Sequence, residues 1–340
     1  MWDWLLGSGH PVSRQDVEGA VEMLVEQVEP RLRLLPDGRR KLRRGVKRTL
    51  QYMHDLCETL PESLDLSLPG YSLDRRVGLL FSSPQSLSDI LAGSESLHDY
   101  FARPSSADTV QLMLSMQPSE THRLGSMLMP DGSIRKDVPQ TILSFDRHRF
   151  IAAGSTRDEA VRKGREHAYA VWCASLGQGM QELEARRRLL EIERQALQLQ
   201  LKTGAGVLNA EALNLSGVLT REQAGERLEQ VQRELTDSSK LGSLAGKLQL
   251  LQQIVEGPEE YIKARQDTVW VNRMGVLTPP DQGGQQLDYA EVLLGYVQQR
   301  RRVVFPATLS REAWREWQQQ GCSEFCKLRR SEGETVFAAA

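Results

Sequence analysis

The stretch from Thr156 to Thr203, TRDEAVRKGREHAYAVWCASLGQGMQELEARRRLLEIERQALQLQLKT, decides how the rest of the chain is read. Thr156-Arg157-Asp158-Glu159 has the form of a capping box, a hydroxyl followed three residues later by a carboxylate. No proline occurs between there and Thr203, so the pattern predicts one helix of roughly 70 Å at 1.5 Å per residue. In its second half Ala185, Leu189, Ile192, Ala196 and Leu199 recur at alternating steps of four and three, and Leu183, Leu190 and Leu197 widen the stripe. Gly164, Gly177 and Gly179 are its weak points, Gly177–Gly179 being where a break or bend would fall if the helix were not continuous.

Downstream, Lys202-Thr203-Gly204-Ala205-Gly206 ends this helix, and Thr220 with Gln223 caps the next. Ala224, Leu228, Val231 and Leu235 repeat the four-three-four spacing, and Leu241, Leu244, Ala245, Leu248, Leu251 and Val255 form a further helical stripe before Gly257-Pro258. Two heptad-like runs joined by a loop of about twenty residues predict an antiparallel helical hairpin over residues 156–265.

On either side of that hairpin the period changes to two. Val110, Leu112, Leu114 and Met116 alternate with Gln111, Met113, Ser115 and Gln117, the mark of a half-buried strand. Pro130-Asp131-Gly132-Ser133 reads as a turn, and Thr141–Phe145 and Arg149–Ala153 as two more strands about a polar turn, giving a small antiparallel meander over 106–155. Residues 266–310 form a second β segment, with strands at Thr268–Val271 and Arg302–Phe305, and Leu287–Leu294 read as strand ahead of helix. Ser310 caps a short closing helix bearing Trp314 and Trp317 within 311–340.

The first 105 residues are helical. Ser13 and Asp16 open a helix whose inner side is Val17, Ala20, Val21, Leu24, Val25 and Val28. After Pro36-Asp37-Gly38 a second runs from Arg39 to Leu60 on the stripe Leu42, Val46, Leu50, Met53 and Cys57. Residues 61–105 read as a packed, irregular connector with short helical pieces near Leu79 and Leu87–Leu91. The expected fold class is α+β, predominantly helical, with a small antiparallel or mixed sheet and the hairpin inserted between its two β segments.

Composition narrows the function. The 340 residues are 40% hydrophobic and 26% charged, an ordinary globular balance, and the net charge of −2 excludes a protein that coats DNA with its whole surface. No apolar run approaches the roughly 20 residues that span a bilayer. Met1-Trp2-Asp3-Trp4-Leu5-Leu6 lacks the cationic start of a signal peptide, and the four cysteines do not suggest a disulfide framework, so a cytoplasmic protein is expected. Arginine supplies 34 of the 43 basic residues, a bias read first as coding composition and second as a preference for phosphate or carboxylate.

No P-loop, dinucleotide-binding glycine pattern, nucleophile elbow or paired-histidine zinc helix occurs. Cys322 and Cys326 stand four apart but lack a second ligand pair for zinc. His54, Asp55 and Cys57 lie on or beside a buried stripe and read as structural. Asp146-Arg147-His148-Arg149 reads as a solvated turn. No cofactor and no metal is expected, and the chain reads as a non-enzyme.

Two surfaces remain. Between Arg31 and Arg48 nine basic residues face one acid, Asp37, whereas the next eighteen residues hold four acids and no Lys or Arg. Arg39, Arg40, Lys41, Arg43, Arg44, Lys47 and Arg48 therefore form an anion-binding candidate for nucleic acid first and an anionic membrane surface second. The competing reading pairs these cations with acids such as Glu58 and Glu62. Trp2 and Trp4 would supply a membrane foot, or more simply pack on the core. The other surface is the stripe Leu189, Leu190, Ile192, Ala196, Leu197 and Leu199, read as the contact for a protein partner or a second copy, with arginines at its rim. The expected function is an interaction or scaffold protein, with anion-surface binding as the alternative and a metal-dependent hydrolase or nuclease without a local motif third.

Overall fold

The computed structural model describes residues 12–104, 106–128, 133–203, 220–272, 274–280 and 284–319. Trp2, Trp4, the turn residues 130–132, the loop glycines Gly204 and Gly206, Cys322 and Cys326 lie outside the described residues.

Helices α1 (Arg14–Val28) and α2 (Gly38–Leu56) come first, followed by a two-residue strand β1 (Leu64–Asp65). Residues 61–105 are more regular than expected. They form α3 (Leu68–Leu73), α4 (Arg75–Leu80), α5 (Pro84–Ala92) and α6 (Glu95–Ala102). Ser67, Asp74 and Ser83 cap three of these through side-chain acceptors, and Pro69 and Pro84 sit in the first turn where a missing N–H costs nothing.

The meander is a single long hairpin, β2 (Thr109–Leu128) and β3 (Ile134–Gly154), in antiparallel register from Gln111↔Gly154 to Leu128↔Ile134. The turn expected at 146–149 is absent. Its polar residues lie within β3 at a register shift opposite Ser115–Gln117, where Arg147 takes φ 52° and absorbs the extra residue without ending the strand. His148 is no solvated turn residue either: its Nε2 lies 2.8 Å from the Leu80 carbonyl and its ring stacks on Phe81.

After β3 comes α7 (Arg157–Thr203), then α8 (Arg221–Asp237), α9 (Leu244–Glu256), β4 (Ile262–Val271), β5 (Gln285–Leu294) and β6 (Arg300–Ser310); residues 311–319 are helical. The sheet has the order β3-β2-β6-β5-β4, with β1 alongside β6. All pairings are antiparallel except β1–β6, which is parallel at Leu64↔Ala307. The long helical insertion thus separates the two strand groups of one sheet, as expected.

Helices cover both faces of the sheet. On one face α3–α6 and the 311–319 helix bury Phe81, Leu97, Leu112, Leu114, Phe305 and Trp317. On the other, α1, α2, α9 and the first half of α7 enclose Leu24, Leu42, Trp172 and Leu251, reaching Ile262 and Leu294 of the sheet. The half-buried pattern assigned to β2 is therefore corrected: Met113 and Ser115 are buried as well as the leucines facing the other way.

No break interrupts α7. Its glycines are points of close approach. A Cβ at Gly177 would strike the Gln27 carbonyl oxygen of α1, and one at Gly179 would press on Tyr296. Helix packing outweighs the roughly 1 kcal/mol propensity penalty of each glycine. The capping box is half formed. Thr156 Oγ1 accepts from the Glu159 N–H at 3.2 Å, but the Glu159 carboxylate reaches the N–H and hydroxyl of Ser155, not the Thr156 N–H.

The hairpin is narrower than the sequence suggests. α8 packs on the second half of α7, while α9 lies against α2, where Thr49 Oγ1 donates to the Val255 carbonyl at 3.0 Å. A buried ion cluster pins this base: Lys247 Nζ of α9 sits 2.6 Å from Glu29 and 2.5 Å from Glu184 of α7.

Candidate functional site

Along the arm formed by α7 and α8, the apolar stripe divides by one residue position. Leu190 and Leu197 are buried with Ala224, Val231 and Leu235 in a small core separate from the body of the protein. Leu189, Ile192 and Leu199 are 64%, 51% and 62% exposed, on the flank of α7 turned away from α8, with Ala196 half-buried between them. The six stripe residues are therefore not one surface. Two of them are core, and the other four form a solvent-facing row.

The arginines expected at the rim mostly hold the arm together. Arg187 donates to the Leu235 and Ser238 carbonyls at 3.1 and 2.8 Å, satisfying oxygens that the end of α8 leaves without helical partners. Arg227 of α8 makes a two-pronged pair with Glu193 of α7 at 2.7 and 3.0 Å, and Arg186 meets Glu234 at 3.1 Å. Arg188 stays largely exposed, with Glu184 at 3.8 Å.

The basic helix is partly neutralised, by acids other than Glu58 and Glu62. Arg39 meets Glu22, Arg43 meets Glu18, Arg40 meets Asp37 and Arg48 meets Glu259. Lys41, Arg44 and Lys47 are exposed on its outer side and make no ion pair among the described residues, so three of the seven candidates remain available to an outside anion.

Among the described residues no three His, Cys, Asp or Glu side chains gather as a metal site requires. Cys57 donates to the Met53 carbonyl, and burial pushes its thiol up to about 11; Cys173 is buried and pushed up to about 12. His54 contacts the guanidinium of Arg165. No helix among the described residues is long and apolar enough to cross a membrane.

A third feature escapes a reading of the sequence alone. Between the sheet and the first half of α7 lies a cavity of about 200 Å³. Its walls are apolar, among them Met53, Met113, Ile151, Val171, Val292 and Leu294. Among the described residues its charged lining is wholly basic: Arg149, Arg165, Arg300 and Arg302, with His167 and no Asp or Glu. The signal is present as two arginine-rich β runs, 147–149 and 300–302, but nothing in the sequence says that they share one sheet face. Compared with known proteins, the chain matches no family model, no curated sequence and no solved structure at a significant level.

Proposed function

We propose that the protein is a non-enzymatic interaction protein whose helical arm docks a second copy of the chain through Leu189, Ile192, Ala196 and Leu199. The observation that carries this reading is a row of three large apolar side chains left half or more exposed on a helix whose other flank is already sealed. Such a row loses free energy to water with no internal gain, and contiguous exposed apolar surface marks an interface.

Self-pairing is favoured by the row's own spacing. Its steps of three, four and three are the same read in either direction, so an antiparallel second copy sets Leu189 against Leu199 and Ile192 against Ala196. At the centre a branched side chain then faces a small one, which lets the two rows approach about a twofold axis, with leucine on leucine at either end. Burying the three large residues of each copy contributes about 1–2 kcal/mol apiece. Association costs of similar total size leave a weak, concentration-dependent dimer.

Sedimentation velocity over a wide concentration range tests this. Wild-type protein is expected to move from monomer to dimer, and the Leu189→Glu, Leu199→Glu double variant to stay folded and monomeric. A wild-type chain that remains monomeric at the highest concentration, or a variant that dimerises equally, refutes the reading. Anion binding by the basic helix stands second, supported by the exposure of Lys41, Arg44 and Lys47 without acidic partners among the described residues. Its first ligand would be a nucleic-acid phosphate backbone and its second an anionic membrane surface.

A further inference from the structure

The cavity between the sheet and α7 joins an apolar interior to a mouth crowded with cations. β-strand alternation builds it. On β6, Arg300, Arg302 and Val304 point to the cavity, while Arg301, Val303 and Phe305 point to the opposite face. On β5, Ala290, Val292 and Leu294 face the cavity, and on β3 Arg149 and Ile151 do. Ser115 of β2 lies between the two arginine strands, paired with Arg149 on one side and Val304 on the other.

Glu291 and Glu120 lie on the wrong face to neutralise this group, and Asp288, on the cavity side of β5 by alternation, accepts from Thr268 and Gln286. Glu291 of β5 is buried on the opposite side, held by Arg301 and Arg265, and Glu120 of β2 also pairs with Arg301. Arg149 and Arg300 make no ion pair among the described residues, and the guanidinium of Arg302 has only the Arg147 carbonyl at 3.5 Å. The crowding is felt. Burial first, and then Arg149, Arg147 and Arg300, hold the Arg302 guanidinium below its usual range, while burial and Arg149 do the same to the His167 ring. Like charges held together at the edge of an apolar space repel at low effective dielectric, and a bound anion relieves that repulsion.

We propose that this cavity binds a single-chain amphiphile with an anionic head group, its alkyl chain against the apolar walls and its carboxylate or phosphate on Arg149, Arg300 and Arg302. Size sets the chain. At about 30 Å³ per water-sized group, 200 Å³ admits about seven methylene-sized groups. Guanidinium forks match both carboxylate and phosphate, so the head group is defined by charge and planarity of recognition rather than by one element. This site is independent of the docking row on the arm and stands or falls separately.

Isothermal titration of the full chain with hexanoate, octanoate, octyl phosphate, octanol and inorganic phosphate tests it. Saturable binding of octanoate or octyl phosphate is expected, and the order of the two identifies the preferred head group. Each added methylene should tighten binding about fourfold until the cavity is full, so octanoate exceeds hexanoate by about fifteenfold. Octanol, which lacks the charge, should bind about ten- to hundredfold more weakly. The Arg149→Gln, Arg302→Gln double variant should lose octanoate binding by a similar factor, and Ala168→Phe, which fills the cavity from α7, should abolish it. Because Arg149 is exposed and Arg302 half-buried, the double glutamine variant is the informative one if Ala168→Phe fails to fold. No saturable binding of either anion overturns the proposal, as does octanol binding as tightly as octanoate. So does inorganic phosphate binding as tightly as octyl phosphate, or undiminished octanoate binding by a double variant of unchanged circular dichroism and melting temperature.

Discussion

Leu197 and Leu199 are two residues apart on the same helix, both fall in the heptad-like stripe, and the structure gives them opposite energetic roles. Leu197 is fully buried in the small core between α7 and α8, and Leu199 is mostly in water. Truncating a buried leucine to alanine costs about 2–5 kcal/mol, depending on how far the surroundings collapse. Among the described residues the arm core contains five buried side chains and is lapped by solvent, so collapse is easy and the cost falls near the lower end, about 2–3 kcal/mol. Leu199→Ala removes little buried surface and should stay within about 0.5 kcal/mol. Because this core is separate from the cores of the body, the loss is local: α8 should detach while the sheet remains folded. Amide hydrogen exchange across residues 221–237 is the suitable assay. Leu197→Ala should lower protection there by about 30- to 150-fold, the equilibrium factor for 2–3 kcal/mol, and Leu199→Ala should leave it unchanged. Equal effects of the two substitutions, or undisturbed α8 protection in Leu197→Ala, would refute the assignment of the two flanks.

Three further outcomes are expected. Arg31 and Lys247 hold the Glu29 carboxyl down to about 2 in the folded protein against 4.5 otherwise; a depressed acid stabilises above its unfolded value, so about 2 kcal/mol, discounted for the exposure of Arg31, is lost as pH falls from about 4.5 to 2. Urea melts at stepped pH should show that loss, and Lys247→Met, which strands Glu29 and Glu184 without their shared cation, should cost about 3 kcal/mol at neutral pH. Iodoacetamide at neutral pH should leave Cys57 and Cys173 unmodified until the chain is unfolded, since burial keeps both thiols protonated, as peptide mass spectrometry would reveal. If the basic helix binds duplex DNA, changing Lys41, Arg44 and Lys47 to Gln should weaken binding and lower the log–log salt slope by about 3, whereas Arg43→Gln should chiefly destabilise the Glu18 contact by about 1 kcal/mol.

The parts of the fold legible in the sequence are those with many repeats of one period. α7 offers 47 residues of helical pattern, and β2 begins at the Thr109 where alternation starts. α4 and α5 are legible only as short pieces near Leu79 and Leu87–Leu91, and α3 and α6 escape, because six to nine residues give too few turns to establish a period, although Ser and Asp caps and first-turn prolines are in plain view. Asp146-Arg147-His148-Arg149 looks like a turn when four polar residues are weighed without the partner strand that a bulge accommodates. The stripe on α7 is visible, but a heptad does not say which flank a neighbour covers, and Leu190 sits only about 100° round the helix from Leu189. The arginine-mouthed cavity is beyond reach for a different reason. Its walls come from α2, α7 and five strands, and placing Arg149 and Arg302 on one face requires the register of three strands at once.

The position of β6 has a bearing on how the molecule comes into being. It is the sixth strand in chain order and the central one in space, flanked by β2 on one edge and by β5 and β1 on the other. Leu64 must therefore wait for Ala307, and during synthesis the β2–β3 hairpin exists with one long edge unpaired until residues 300–310 arrive. Closure over such sequence separations is slow, and an open apolar edge invites pairing with another chain. A chain stopped before residue 300 would keep most of its helices but hold its strands as two unjoined hairpins, β2–β3 and β4–β5, leaving a species prone to aggregate rather than a smaller version of the protein.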